Sequence, residues 1–259
     1  MPELPDLQVF AHSLNKILKG KKLLKLNVIQ SKKLNVSESQ LTAALEGEIL
    51  KEVERSGKQL HFNFKNQQTL GLHLMLHGQM HWFEKENSNK FTILEMYFEG
   101  DRGLAITDFQ RQVTLTLNPA PATAPDALGR DAGYDFWKTT LHNSRGAVKA
   151  ILLNQEVVRG IGNAYADEIL YDARLSPFSI ANKIPDTHIK ALVQSVKKVL
   201  KNAEKQILSN DPDRISGEFR DFLQVHQPKL ESTEKGFAIR QKSLSSRKTY
   251  YTDEQIMFD

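Results

Sequence analysis

Between residues 3 and 19, apolar side chains recur at spacings of three and four: Leu4, Leu7, Phe10, Ala11, Leu14, Ile17 and Leu18. That is the period of one buried helix face, and Gly20 ends it. A helix starting behind only Met1 and Pro2 ties the chain terminus to the fold. From Leu23 to about Leu117 the period falls to two. Gln59–Phe64 alternates polar with apolar, Phe91–Phe98 and Val113–Leu117 are rich in β-branched and aromatic residues, and Gly57, Gly78 and Gly103 punctuate the runs. Leu72–Leu76 reads as buried strand. The pattern predicts an antiparallel β-sandwich or flattened barrel capped by the first helix.

The proline/alanine stretch that follows Asn118 has no periodicity and reads as the start of a linker. Beyond it the helical period returns over about 135–142, 146–154, 163–173 and 185–208, and Gly236–Tyr251 returns to short β-like segments. The expected fold class is α+β: a β-sandwich domain over 1–118, a linker over 119–134, a helical domain over 135–235 and a β-hairpin over 236–259. There is no internal repeat.

Composition removes several chemistries. The 259 residues hold no cysteine, which excludes disulfides, thiol nucleophiles and cysteine-ligated zinc. The start, Met-Pro-Glu-Leu-Pro-Asp, carries acids where a secretory leader carries lysines, and no apolar run reaches the length of a membrane span. A cytoplasmic protein with no membrane partner is expected, nucleoid-associated if bacterial. The net charge is only +4, but it is unevenly spread. Lys16–Lys33 contains seven lysines and Lys235–Lys248 five basic residues, both without an acid. Either run alone reads as a solvated face; two of them suggest a polyanionic partner.

Candidate chemistry begins at the terminus. With the initiator methionine removed, Pro2 carries a secondary amine, and an α-amino group titrates near ~7.7–8.0, so much of it is unprotonated at neutral pH. Such an amine can attack a sugar carbon and form an iminium. Glu3 beside it can move protons. Taken alone, the pair reads as a helix-start proline with an acid favouring the helix dipole. Lys58, in the turn Gly57-Lys58 before a strand, reads either as a solvated charge or as a phosphate contact. In Arg159-Gly-Ile-Gly-Asn-Ala-Tyr-Ala-Asp-Glu168, Gly160 and Gly162 allow a tight passage between helices, and Asn163 is placed to cap the second one. The N–H groups of such a turn suit an anion. His73, His77, Trp82 and Trp137 read as packing or loop residues.

Met-Pro-Glu-Leu-Pro, Gly57-Lys58 and Gly160–Glu168, with Asp221-Phe-Leu223 and Ser246-Arg-Lys-Thr-Tyr-Tyr251 further on, stand in an order that resembles the formamidopyrimidine-DNA glycosylase / endonuclease VIII family over nearly the whole chain. The resemblance implies a helix-two-turn-helix domain after the sandwich. It implies a bifunctional DNA glycosylase and abasic-site lyase that excises oxidised bases through a Schiff base on Pro2, with Glu3 as acid/base partner and Lys58 on the phosphate beside the lesion. Asn163 with Gly160 and Gly162, and Arg247 from the C-terminal finger, would hold the backbone of the flipped nucleotide. No cofactor is implied. The partner would be double-stranded DNA carrying damaged bases or abasic sites, and the protein a monomer.

Three departures qualify this. The finger has no cysteines and resembles the family's zincless fingers, with strands expected at Phe237–Arg240 and Arg247–Tyr251. Leu76 stands at the wedge position of the first void-filling loop. The second loop, Asp108-Phe-Gln-Arg-Gln-Val113, keeps only Arg111 of the family's two arginines and has Gln112 at the aromatic position. Asp6 replaces a more usual glutamate. The altered loop favours the alternative of a non-catalytic protein that binds damaged or bent DNA. A general nucleic-acid or ribosome-associated module would explain the basic runs but not the terminal Pro-Glu. The preferred lesion, oxidised purine or pyrimidine, stays open; its base pocket is expected around Ser216–Arg220.

Overall fold

Leu4–Leu18 forms helix α1 because its seven apolar positions share one face and both ends are closed. At the start, Glu3 and Asp6 make a reciprocal capping box, each carboxylate accepting the other's backbone N–H. At the end, Gly20 turns the chain with φ +82°. The computed structural model describes residues 1–259.

Two compact units emerge, Met1–Pro121 with Ile207–Glu218, and Ala122–Gln206 with Phe219–Asp259. In the first, α1 is followed by β1 (Leu23–Val28), α2 (Glu38–Leu45), β2 (Leu50–Ser56), β3 (Gln59–Phe64), β4 (Thr69–His73), β5 (Gln79–Phe83), β6 (Thr92–Phe98), β7 (Arg102–Thr107) and β8 (Thr114–Leu117). The strands make two antiparallel four-stranded sheets, ordered β1-β6-β7-β5 and β2-β3-β4-β8. Phe10 and Leu14 of α1, Phe62 and Leu72 of one sheet, and Met96 and Ile106 of the other belong to a single core. This is the helix-capped antiparallel sandwich that the period-two pattern predicts.

Two local expectations fail here. β4 stops at His73, so Leu74–Leu76 lies in a loop although it is apolar. Helix α2 interrupts the strand region, started by a capping box between Ser37 and Gln40.

The second unit contains α3 (Tyr134–His142), α4 (Val148–Leu153), α5 (Asn163–Asp172), a 3-10 turn at Ala181–Lys183, most of α6 (Asp186–Asn210), and the antiparallel hairpin β9 (Arg240–Leu244) and β10 (Arg247–Tyr251). Trp137 is fully buried, as packing requires. The first finger strand lies at Arg240–Leu244 rather than at Phe237–Arg240. Its residues are exposed, so the register follows from the turn, where Ser245 and Ser246 both have positive φ (+49° and +61°), as a two-residue type I′ hairpin needs. No helix is long and apolar enough to cross a membrane.

Candidate nucleic-acid interface and amine centre

The predicted site residues divide between the two units. Pro2, Glu3, Lys58, Leu76 and Arg111 belong to the first; Gly160, Gly162, Asn163 and Arg247 belong to the second.

In the first unit Pro2 and Glu3 are buried and fixed by the α1 cap. Residue 2 therefore has a defined place instead of a frayed end. The Met1 ammonium pairs with Glu218. That segment is itself held, since Ser13 and Lys16 bond the Pro212 carbonyl and the Ser216 hydroxyl accepts from Met80 N at 3.0 Å. Glu218 is thus a carboxylate at the terminus, in the stretch where the sequence suggests a base pocket.

Gly57 and Lys58 form the two-residue turn of the β2–β3 hairpin, with Gly57 at φ +59°. Arg55 connects this turn to α1: its Nε donates to Gln8 Oε1 at 3.0 Å and its Nη1 to the Gly57 carbonyl at 3.2 Å. His73 lies within electrostatic reach of Lys58. Burial lowers the pKa of this imidazole from 6.5, and the positive charge of Lys58 lowers it further. A neutral His73 accepts the N–H of Met75 at Nδ1, 3.0 Å away, which starts the first loop.

The two loops expected to fill a base-stack gap are bound to one another. Gly78 leaves no room for a Cβ, which would stand 2.2 Å from the Leu74 carbonyl and 2.6 Å from Val113 Cγ2 of the second loop. Asp108, 1% exposed, accepts from the backbone N–H groups of Gln110, Gln112 and Val113. Arg111 sits at φ +54° on this turn. Gln112 folds back, Nε2 donating to the Gln110 carbonyl. The aromatic group missing from position 112 appears at Phe109, 56% exposed, whose ring lies 4.7 Å from that of His77. Leu76, which precedes His77 in the first loop, is 62% exposed. Sequence reasoning passed over Phe109 and read His77 only as a packing or loop histidine. The signal was an aromatic side chain and an imidazole in the two loops already singled out.

In the second unit Gly160, at φ +105°, makes the turn before α5, and Gln155 organises it by accepting from Gly160 N and donating to the Ile161 carbonyl. The N-cap is Gly162, not Asn163, which is the first helical residue. This corrects the expected capping role. Asn163 instead donates from Nδ2 to the Lys248 carbonyl at 2.9 Å, joining the start of α5 to β10 of the finger. Arg247 begins β10 and is exposed, as is Lys248. No group of three or more histidine, aspartate or glutamate side chains is arranged to hold a metal ion.

Comparison with known proteins yields a consistent set of similarities. The formamidopyrimidine-DNA glycosylase N-terminal domain matches residues 1–115 and the formamidopyrimidine-DNA glycosylase H2TH domain matches residues 123–210. The formamidopyrimidine-DNA glycosylase of Carboxydothermus hydrogenoformans is 29% identical over 77% of this chain and 76% of its own. That of Ligilactobacillus salivarius is 28% identical over 97% of both. Among solved structures, the Lactococcus lactis Fpg in complex with DNA containing an abasic site superposes with a TM-score of 0.87, at 24% identity, over 97% of this chain and 98% of that one. At that identity the likeness concerns the fold.

Proposed function

This chain belongs to the formamidopyrimidine-DNA glycosylase / endonuclease VIII family, and from that premise we propose that it is a bifunctional DNA glycosylase and abasic-site lyase of base excision repair. The observation that carries this reading is the buried, capped terminus, which fixes residue 2 beside Glu3 on the unit that also holds the Lys58 turn.

In the proposed reaction the Pro2 nitrogen, freed by removal of Met1, gives its lone pair to C1′ of the damaged nucleotide. The bond from C1′ to the base breaks, and the base leaves with that electron pair and takes up a proton. The ammonium nitrogen then gives up its proton, the sugar ring opens as C1′–O4′ breaks and Glu3 protonates O4′, and the nitrogen lone pair so freed completes the iminium. Loss of a proton from C2′ expels the 3′ phosphate and cuts the strand. Lys58 holds the phosphate next to the lesion. Asn163, the Gly160–Gly162 turn and Arg247 bind the backbone of the extruded nucleotide. Extrusion is needed because C1′ is shielded inside a duplex. Leu76 and Phe109 enter the stack left behind, as apolar wedges do. The substrate is double-stranded DNA, bound by one copy of the chain in the cytoplasm.

The alternative is a protein of this fold that binds damaged or bent DNA without cutting it; the changed residues of the second loop favour it. Borohydride trapping separates the two. Protein whose N-terminus is verified by mass spectrometry is incubated with duplexes carrying an abasic site, 8-oxoguanine or an oxidised pyrimidine. A covalent adduct that is lost when an N-terminal extension keeps the Pro2 nitrogen an amide establishes the lyase. Its dependence on the lesion names the substrate. Salt-sensitive DNA binding without any adduct establishes the alternative.

A further inference from the structure

Two oppositely charged side chains, Lys149 of α4 and Asp167 of α5, lie wholly inside the second unit at 0% exposure, with Nζ and Oδ1 2.6 Å apart. Burying an ion pair removes several kcal/mol of hydration per ion, so apolar residues of the same volume usually serve stability as well or better. What this pair does that apolar residues cannot is point. Lys149 Nζ also donates to Thr249 Oγ1 at 2.8 Å and, more weakly, to the Lys248 carbonyl at 3.4 Å. Asp167 Oδ2 accepts the Tyr250 backbone N–H at 3.0 Å and lies 2.7 Å from His226 Nδ1. Three consecutive residues of β10 are held by one charge pair.

The turn sets the register within the hairpin, but its strands offer few buried side chains to anchor it to α4 and α5. Every residue of β9 is at least partly exposed, and on β10 only Thr249 and Tyr250 are buried. His226 is placed by Glu168, the residue that follows Asp167: the Glu168 carboxylate accepts the backbone N–H groups of Gln224, Val225 and His226, and the imidazole then packs edge-on to Tyr250 at 4.8 Å. The gripped residues directly follow Arg247, and Lys248, whose carbonyl is also bound by Asn163, is both gripped and cationic.

We propose that the buried Lys149–Asp167 ion pair, with the partly buried His226 bonded to it, forms a clasp that positions Arg247 and Lys248 for phosphate binding, performing in this cysteine-free finger the fixing role that a bound metal performs in a cysteine finger. The proposal rests on the DNA-binding part of the function above. It makes the three residues positioning residues, since Lys149 and Asp167 are wholly buried and all three act through β10.

The test uses the full-length protein and a duplex carrying a stable abasic-site analogue. Removing both charges together, Lys149→Met with Asp167→Asn, leaves no unpaired buried ion, so the variant is expected to fold. Its affinity should fall at least about tenfold and the slope of log affinity against log salt should flatten by about 1–2, the loss of one or two phosphate contacts. The rate of adduct trapping at saturating abasic-site DNA should be unchanged. In an Arg247→Ala, Lys248→Ala background the same pair of substitutions should have no further effect on affinity. A folded variant with unaltered affinity and slope, or an additive loss in that background, overturns the clasp. Amide exchange in the wild-type protein tests it without any substitution: Thr249 and Tyr250 should exchange far more slowly than the β9 amides, and equal rates overturn it. Failure of the wild-type protein to bind DNA in a salt-dependent way would instead sink the functional reading, leaving the exchange result to judge the clasp.

Discussion

Glu3 caps α1 with the same carboxyl group that the proposed chemistry uses. The two duties separate by substitution. Glu3→Gln keeps an acceptor for the cap, so the melting temperature should barely move, while kcat for strand cleavage should drop by roughly 10²–10⁴. Glu3→Ala should in addition lose about 0.5–2 kcal/mol of stability; equal activity of wild type and Glu3→Gln would exclude the acid/base role. His73 gives a pH prediction. Its pKa is lowered in the fold, chiefly by burial and secondarily by Lys58, so the unfolded chain binds the proton first. Stability should therefore fall as pH drops below 6.5, until the folded-state pKa is passed. In an NMR titration Lys58→Met should raise the His73 pKa only part of the way back, because burial remains. At this scale Pro2, Glu3 and Lys58 stood out in the sequence as candidates because short motifs carry them. Phe109 was not: an exposed aromatic ring becomes informative only once its neighbour His77 is known. Phe109→Ala should weaken duplex binding and discrimination of the opposite base, whereas Gln112→Ala, at the position where the family pattern has its aromatic, should change neither; the reverse order would show that Phe109 is not a wedge.

Elements with a buried face announced themselves, and those without one did not. Helix α1 and strand β3 were visible because their apolar residues repeat at the helical and strand periods. Helix α2 buries only Leu41 and Leu45, too few for a periodic signal, although its Ser37–Gln40 capping box was present in the sequence. Ser37→Ala should cost about 1 kcal/mol by thermal melting. Strand β9 has no buried face, so apolar residues drew the expected strand upstream, to Phe237–Arg240. Its real register is set by two serines in left-handed backbone, a conformation that serine does not favour. Replacing Ser245 and Ser246 by Asn and Gly should stabilise the finger and slow exchange of the β9–β10 amides; faster exchange would contradict the type I′ assignment.

On the scale of the whole chain, the linear reading of the sequence could not foresee that Ile207–Glu218 would join the first unit after the helical segments of the second. The pattern of apolar residues reports local period, not which unit a late segment packs into. Charge, by contrast, was readable directly. With six to ten phosphates contacted, affinity for a lesion duplex should fall roughly 10³–10⁵-fold between about 50 and 200 mM salt, and a salt-insensitive affinity would rule out the DNA reading. Chelators should leave melting temperature and activity unchanged. The finger has a further consequence for the setting in which such lesions arise. Gly236–Tyr251 contains neither cysteine nor methionine. Peroxide converts thiolates to sulfenic acids and disulfides, and metals bound by them are then released. A grip made of ammonium, carboxylate and imidazole offers sulfur chemistry no foothold, so this finger should keep hold of DNA through the oxidative stress that damages the bases.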